Sequence, residues 1–268
     1  MLYFIPTPIG NLEDISFRAI SVLKTCKTLF CEDTRVTKSL INLLNDKYNA
    51  GIFIDTFIPL HTHNEDKINI DNEIFNSNVA YLSDAGMPGL SDPGEWLVNY
   101  AIQNNIDYEV LPGANAALVA LISSGFCKKE FNFIGFLNIK KDRLSALEKI
   151  LSHPYPSIIY ESKTRLLELI DDICEIDKDR DIFCMKEISK KYEKKYHAKA
   201  EQMKSILKDE NLNGEWVVVV NGKEIKQNTL NASDILSLSL PPKITAKLLA
   251  KLNKTDVKLE YEKLLKSK

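Results

Sequence analysis

Short apolar runs alternate with longer amphipathic segments in the first half of the chain. The apolar runs predict strands at 2–5, 28–31, 79–82 and 108–111. Apolar positions at helical spacing predict helices at 12–26, 37–44, 95–103 and within 114–124. Short, wholly apolar strands that alternate with helices are typical of a largely parallel α/β layer.

The second half shows a different pattern. It predicts strands at 131–136, 157–160, 181–185 and 216–220, with helices at 143–151 and 166–174. In KKYEKKYHAKA, lysines separate Tyr192, Tyr196 and Ala198, as in a half-exposed antiparallel strand. We therefore expect a mixed sheet in this half.

The two patterns predict an α/β protein with an N-terminal domain at 1–116, a second domain at 117–225 and a tail at 226–268. The polar stretch after Gly222 predicts a linker. Two short amphipathic helices follow, hinged at Asn253-Lys254-Thr255, with Thr255 capping the second helix. From Pro241 onward, eight lysines stand against three carboxylates, a difference of +5. The tail is either a solvated helical face or a nucleic-acid contact.

The composition narrows the class of protein. With 268 residues, of which 44% are hydrophobic, the chain has ample core for one large domain or two ordinary ones. No apolar run approaches the roughly 18 residues that suggest a membrane helix, and the start lacks the basic region of a signal peptide. The five cysteines are odd in number and form no C-x-x-C pair, which favours reduced thiols and a cytoplasmic location.

Charge and histidines add two expectations. The four histidines do not group as zinc ligands, so no metal site is expected. The formal net charge of −2 means that any nucleic-acid contact must use local basic patches.

The segment YLSDAGMPGLSDPGEWLV, at 81–98, is too elaborate for a simple connection. Gly86 and Gly89 allow positive φ and close backbone approach. Asp92-Pro93-Gly94 predicts an Asp92 N-cap with proline at the first helical position. This excess of special residues suggests a ligand.

Several ligand signatures are missing from the sequence. It has no G-x-x-x-x-G-K-[ST], no G-x-G-x-x-G and no G-x-S-x-G. A glycine-rich loop after a parallel strand, without phosphate-binding spacing, suits a nucleoside ligand that lacks a phosphate chain. S-adenosylmethionine is such a ligand, and a purely structural turn is the alternative.

Two other loops are expected at the same place. PTPIGNLEDIS follows the first strand and CEDTRVTKSLI the second. Loops at the carboxyl ends of parallel strands share one edge, where ligands bind. Glu32, Asp33 and Arg35 in the second loop are therefore either functional residues or an ordinary surface ion-pair set.

Six motifs along the chain together resemble those of a known protein family. PTPIGNLEDISFRA, CEDTR, SDAGMPGLSDPG, LPGANAAL, FNFIGFL and IIYES resemble, in order and spacing, the ribosomal RNA small subunit methyltransferase I family of the tetrapyrrole methylase superfamily. The resemblance covers roughly residues 1–222. It implies a two-domain tetrapyrrole-methylase-like fold with S-adenosylmethionine in the cleft, a homodimer, and 2′-O-ribose methylation of a cytidine in the decoding region of 16S rRNA.

The resemblance also implies cofactor-binding residues. By motif, these are Pro8, Ser83, Asp84, Ala85, Gly86, Asn115, Ala116, Tyr160, Glu161 and Ala198. The chain departs from the family at Met87, where threonine is usual, in PGANA, which replaces PGPSA, and in YHAKA, where a glycine is common.

Transfer of a methyl group to a ribose hydroxyl requires alignment and a proton acceptor. Alignment can supply about 7–11 kcal/mol of the barrier. A nearby base or cation adds about 10²–10⁴-fold. The candidates for this role are Glu32, Asp33, Arg35, Lys186 and Glu187.

Basic patches are expected to hold the RNA substrate, either 16S rRNA or the small ribosomal subunit. The stretch 186–199 holds six lysines against two glutamates, and its tyrosines could stack on a base. A lysine-protected edge strand is the alternative. Lys140, Lys141 and Arg143 form a smaller cluster. Two other functions remain open: a tetrapyrrole C-methylase, and a ribosome assembly factor that binds the cofactor or RNA without catalysis.

Overall fold

The computed structural model describes residues 1–61, 68, 70–137, 143–223, 232–238 and 240–266. It separates into two compact units, Met1–Lys223 and Glu224–Lys268. Both sheets lie in the first unit. None of the described helices is long and apolar enough to cross a membrane. The predicted domain boundary between residues 116 and 117, within the first unit, stays a prediction.

The first sheet is parallel throughout. Its strands are β1 (Leu2–Phe4), β2 (Thr28–Cys31), β3 (Thr56–Pro59), β4 (Val79–Leu82) and β5 (Tyr108–Val110), in the order β3-β2-β4-β1-β5. The helices of this half are α1 (Phe17–Leu23), α2 (Thr34–Tyr48), α3 (Gly94–Gln103) and α4 (Ala116–Ser124). All four residues of β4 are buried, because apolar clusters cover both faces of the sheet.

The second sheet is mixed. Its strands are β6 (Asn132–Phe136), β7 (Ser157–Ser162), β8 (Asp181–Lys186), β9 (Lys194–Lys199) and β10 (Glu215–Val220), in the order β6-β7-β10-β8-β9. Only the β6–β7 pair among these is parallel. Helices α5 (Arg143–Leu151), α6 (Leu166–Asp177) and α7 (Ala200–Lys208) cover one face, and α4 covers the other. The predicted α/β fold is confirmed.

Several predicted boundaries in the first half were wrong. The helix predicted at 12–26 is a 3₁₀ turn at Leu12–Asp14 followed by α1, because Ser16 Oγ accepts a hydrogen bond from Ala19 N and starts a new helix. Helix α2 is longer than predicted, because Asp33 caps its start. Strand β3 was missed, as was helix α7 in the second half.

The second unit is helical where the structure describes it. Its helices are α8 (Ala232–Ser237), α9 (Pro242–Asn253) and α10 (Val257–Lys266). Helix α8 lies in the predicted linker, of which 224–231 and 239 are outside the described residues. The predicted Thr255 cap was wrong, because Asp256 Oδ1 accepts the hydrogen bond from Lys258 N at 2.7 Å.

Candidate active site

A cleft of about 580 Å³ lies between the loops of the first sheet and the second sheet. We call it the cleft throughout. Its first wall includes Ile9, Glu32, Ser83, Asp84, Ala85 and Asp92. Its second wall includes Ala116, Phe136, Tyr160, Glu161, Ile188 and Trp216. The volume is within the range of small-molecule sites, about 300–1,000 Å³.

Asp92 organises the glycine-rich loop after β4. Its Oδ1 accepts hydrogen bonds from Gly89 N (2.9 Å), Gly94 N (2.8 Å) and Tyr81 Oη (2.9 Å). Pro93 occupies the N-cap position of α3 and makes no side-chain cap. The predicted Asp92 N-cap was therefore wrong, and this carboxylate instead holds two turns and a buried tyrosine together.

The same loop has no room for a side chain at Gly94. A Cβ atom there would lie 2.6 Å from Gly89 N and 2.8 Å from Tyr81 Cε1. Gly89 adopts φ +89°, a conformation that suits glycine. The glycines are thus required by the packing of the turn.

The loops after β1 and β4 pair through their backbones. Thr7 N donates to Gly86 O (3.0 Å) and Gly86 N donates to Thr7 O (3.1 Å). Thr7 Oγ1 also donates to Ser83 O at 3.2 Å. Gly86 has φ +82°, which explains why a glycine stands there.

The loops after β2 and β4 are joined by their carboxylates. Asp84 N donates to Glu32 Oε2 (3.2 Å), and Asp33 N donates to Asp84 Oδ1 (3.1 Å). Burial raises the pKa of both Glu32 and Asp84, and nearby carboxylates raise that of Glu32 further. A carboxylate with a raised pKa is a better proton acceptor near neutral pH.

The second wall is built from strand side chains. Tyr160 packs edge-to-face against Phe136, with ring centroids 5.6 Å apart, and burial raises its pKa. Glu161 is buried, and its Oε1 accepts hydrogen bonds from Ser162 N (2.8 Å) and Arg165 Nη2 (2.7 Å). These contacts fix the carboxylate in one orientation.

Trp216, at the start of β10, borders the cleft, while its ring packs into the apolar cluster under α5, α6 and α7. Its ring stacks on Tyr196 at 5.8 Å between centroids, and Lys186 Nζ lies 5.6 Å from the ring. Its Nε1 donates to Leu212 O at 2.9 Å. The indole is therefore held on three sides.

The two walls meet in a seam between the loops after β1 and β8. A Cβ atom at Gly10 would lie 2.8 Å from the carbonyl oxygen of Ile188. Ser189 Oγ donates to Asp14 Oδ2 at 2.5 Å. The seam therefore joins the first sheet's loops to the second sheet at one end of the cleft.

Comparisons with known proteins decide the family. The model of the Tetrapyrrole (Corrin/Porphyrin) Methylases matches residues 1–204. "Ribosomal RNA small subunit methyltransferase I" of Campylobacter fetus is 48% identical over 99% of this chain and 100% of its own length. The chain belongs to this methyltransferase family. The protein of the same name from Helicobacter pylori is 39% identical over 100% of this chain and 99% of its own.

A solved structure shows the same fold. Uroporphyrin-III C-methyltransferase from Thermus thermophilus, complexed with S-adenyl homocysteine, has a TM-score of 0.54 and 14% identity, over 81% of this chain and 96% of its own. The predictions of the methyltransferase I family, of its fold and of a methyltransferase are thus confirmed.

The structure separates the candidate catalytic residues of this family member. Only Glu32 among the five lines the cleft. Lys186 is buried and its Nζ donates to Asn211 O. Glu187 Oε1 accepts from Lys190 Nζ (3.0 Å) and Glu215 N (2.9 Å).

Asp33 and Arg35 form an ion pair beside the cleft. Arg35 Nη2 lies 2.6 Å from Asp33 Oδ2, and the Arg35 side chain is 88% exposed. Hydrogen bonds from Arg35 lower the pKa of Asp33 to about 2. Both residues line a second, more open cavity that also contains Pro8 and shares Asp84 with the cleft.

Of the ten predicted cofactor residues, six line the cleft, and Pro8, Gly86, Asn115 and Ala198 do not. Those that line the cleft are Ser83, Asp84, Ala85, Ala116, Tyr160 and Glu161. Gly86 lies beside it in the paired loops, and Asn115 Oδ1 caps α4 through Leu118 N at 3.1 Å. Ala198 packs on the face of the second sheet that α5, α6 and α7 cover, away from α4.

Some lining residues were missed from the sequence. They include Ile9, Phe136, Ile188 and Trp216. Ile9 lies in the motif PTPIG and Phe136 in FNFIGFL, so these motifs were the signal that could have identified them. Trp216 begins a predicted strand, but a tryptophan in a strand is ordinarily a core residue.

The lysines at 186–199 are mostly neutralised. Lys194 pairs with Glu210 (2.8 Å), Lys195 with Glu193 (3.2 Å) and Lys199 with Asp181 (3.3 Å), while Lys190 pairs with Glu187 and Glu215. Arg143 pairs with Glu168 and Asp172. Lys140 and Lys141 lie outside the described residues. Four of the six lysines predicted as an RNA-binding patch therefore take part in ion pairs.

Proposed function

We propose that the cleft binds S-adenosylmethionine and that the chain methylates the ribose 2′-hydroxyl of a cytidine in the decoding region of 16S rRNA. The observation that carries the proposal is the cleft, in which three motif loops of the first sheet face an aromatic wall. Full-length relatives, 48% and 39% identical and named for small-subunit rRNA, support RNA as the substrate.

The residues of the cleft fit this donor. Carboxylates of Glu32, Asp84 and Asp92 suit a ligand with positive charge, and the rings of Phe136 and Tyr160 suit an adenine. When bound, S-adenosylmethionine supplies a methyl group from its sulfonium, and the neutral thioether that remains is a good leaving group.

Glu32 is the residue of this chain that we assign as proton acceptor. It lines the cleft, its pKa is raised by burial, and Asp84 N fixes one of its oxygens. The ion pair of Asp33 and Arg35 lies in the adjoining cavity, where the carboxylate already occupies the guanidinium, so neither residue is assigned the role of proton acceptor.

The test is methyl transfer from labelled S-adenosylmethionine to small ribosomal subunits that lack the modification, followed by nucleoside digestion. We expect label in 2′-O-methylcytidine. Glu32→Gln is expected to lower kcat by about 10²–10⁴-fold while S-adenosylhomocysteine still binds. Glu148→Gln, an exposed glutamate of α5, is the matched control.

Three results would contradict the proposal. Label in a nucleobase would place the methyl group on another atom. Label only in an added uroporphyrinogen would favour the tetrapyrrole C-methylase. Bound donor without any transfer would favour the non-catalytic assembly factor.

A homodimer is part of the proposal. Helix α4 packs on the second sheet and exposes Leu118 (43%), Val119 (40%) and Ile122 (71%) on its other side. A contiguous apolar face of this kind suits an interface between copies. Sedimentation is expected to show a dimer that Ile122→Glu dissociates and that Ile102→Glu, at an exposed position of α3, leaves intact. A monomeric wild type would contradict the homodimer.

A further inference from the structure

The C-terminal helical unit contains a groove lined by lysines. Lys243 and Lys247 stand one turn apart on α9, and Lys258 is in the first turn of α10. Together with Asp256, Val257 and Tyr261, they line a groove of about 520 Å³. All three lysines are exposed.

The turn between α9 and α10 fixes the shape of this groove. Lys254 ends α9 with φ +52°, and Asp256 caps α10. Glu260 is buried, and its Oε1 accepts from Thr255 Oγ1 (2.9 Å) and Lys263 Nζ (3.0 Å). The unit therefore uses its buried acid to hold the two helices, and not to neutralise the groove.

The three groove lysines carry unneutralised charge. Across the described ranges, Lys243, Lys247 and Lys258 make no ion pair. The carboxylate of Asp256 also lines the groove, but its Oδ1 already accepts from the backbone at the start of α10. A positive excess thus remains on this surface.

The lysines of β9 provide the contrast. Lys194, Lys195 and Lys199 each lie within 3.3 Å of a carboxylate oxygen. A phosphate that approached them would have to displace that carboxylate. Cations that bind phosphates directly gain affinity by releasing counterions from the nucleic acid, so uncompensated lysines are the better RNA contact.

We propose that the groove of Lys243, Lys247 and Lys258 binds phosphates of the small-subunit rRNA outside the cleft. This proposal rests on the proposed function, because it assigns part of the affinity for the same RNA to the second unit. Tyr261 gives the groove an aromatic side chain on which an unpaired base stacks.

The test uses the full chain and a triple variant, Lys243→Gln/Lys247→Gln/Lys258→Gln. The charge-matched control is Lys149→Gln/Lys178→Gln/Lys208→Gln, which removes three exposed lysines around α5, α6 and α7 that make no described ion pair. We measure KM for small ribosomal subunits and the affinity for a labelled decoding-region RNA as a function of salt.

The groove variant is expected to raise KM about 10- to 100-fold and to lower the slope of log affinity against log salt by about 2–3. Its kcat and its affinity for S-adenosylhomocysteine are expected to match the wild type. The corresponding triple arginine variant is expected to keep wild-type KM, because the charges remain.

Two outcomes would overturn the proposal. One is an unchanged salt slope and KM in the groove variant. The other is an equal loss in the control variant, which would attribute the effect to net charge. Failure of methyl transfer by the wild type would instead reject the proposed function. The salt dependence of RNA affinity, compared between the wild type and the groove variant, would still show whether the groove binds RNA.

Discussion

The two walls of the cleft are built in different ways. The first wall consists of loops, in which glycine turns and backbone hydrogen bonds place Ser83, Asp84 and Gly86. The second wall consists of strand residues: Tyr160 is positioned by its packing on Phe136, and the buried ring of Trp216 holds β10 from the face that α5, α6 and α7 cover. The comparison teaches that one cleft can depend on turn stereochemistry on one side and on packing volume on the other.

Removing the indole of Trp216 is expected to have the largest effect on stability. Trp216→Ala should lower the free energy of unfolding by about 3–5 kcal/mol, because a buried ring that packs on Tyr196 is replaced by a void. Urea denaturation measures this. Trp216→Phe is the control and should lose less; equal losses would show that packing volume does not govern the second wall.

Substitution of Asp92 tests how much its carboxylate stabilises the first wall. Asp92→Asn should cost about 1.5–3 kcal/mol, because the charge that holds Gly89 N, Gly94 N and the Tyr81 hydroxyl is lost. Calorimetry with S-adenosylhomocysteine should show weaker binding as well. Asp107→Asn changes an exposed aspartate at β5 and should alter neither quantity.

Two glycine substitutions separate crowding in the first wall from turn strain outside the cleft. Gly94→Ala should cost about 1–3 kcal/mol and weaken ligand binding, because its methyl group meets Gly89 N. Gly51→Ala should cost about 1–2 kcal/mol, because Gly51 has φ +66° with nothing within 4 Å, and should leave binding unchanged. Unchanged ligand binding in both variants would remove Gly94 from the site.

The smallest expected effect is the contribution of Glu32 to the pH dependence of the free energy of unfolding. Burial raises the pKa of Glu32, so the folded chain binds its proton up to a higher pH than the unfolded chain does. In the window between the ordinary glutamate pKa and the raised one, this group makes stability fall as pH rises. Glu32→Gln should therefore be more stable than the wild type above that window and equal to it below.

Urea titrations at several pH values measure the difference. Asp84 keeps its own raised pKa in the variant, so the pH dependence should weaken without vanishing. A variant that is less stable than the wild type at neutral pH would contradict the burial cost assigned to Glu32.

The same contrast explains what could be predicted from the sequence. The first wall could be located from the sequence, because turns with positive φ favour glycine and Gly86 and Gly89 stand at such positions. The strand that carries Trp216 was also predicted. Its place in the wall was not, because an apolar strand accepts many side chains and has no motif.

Charge balance was the least predictable property. The lysines of β9 were counted as a patch, but the partners Glu210 and Asp181 of Lys194 and Lys199 come from neighbouring segments of the fold. Strand β3 was missed because TFIP is short and ends in a proline. The ion pairs of β9 and the pairing of β3 both depend on contacts between segments that are separated in sequence. A short window of the sequence therefore reveals neither.

The seam at Gly10 has a consequence for reading the PTPIG motif. The absence of a side chain at this position is imposed by Ile188, a residue of the opposite half, rather than by anything that occupies the cleft. A letter in a ligand-binding signature can thus record how two halves of a protein are assembled. Exchanging halves between relatives would have to keep this glycine together with the course of the backbone at 188.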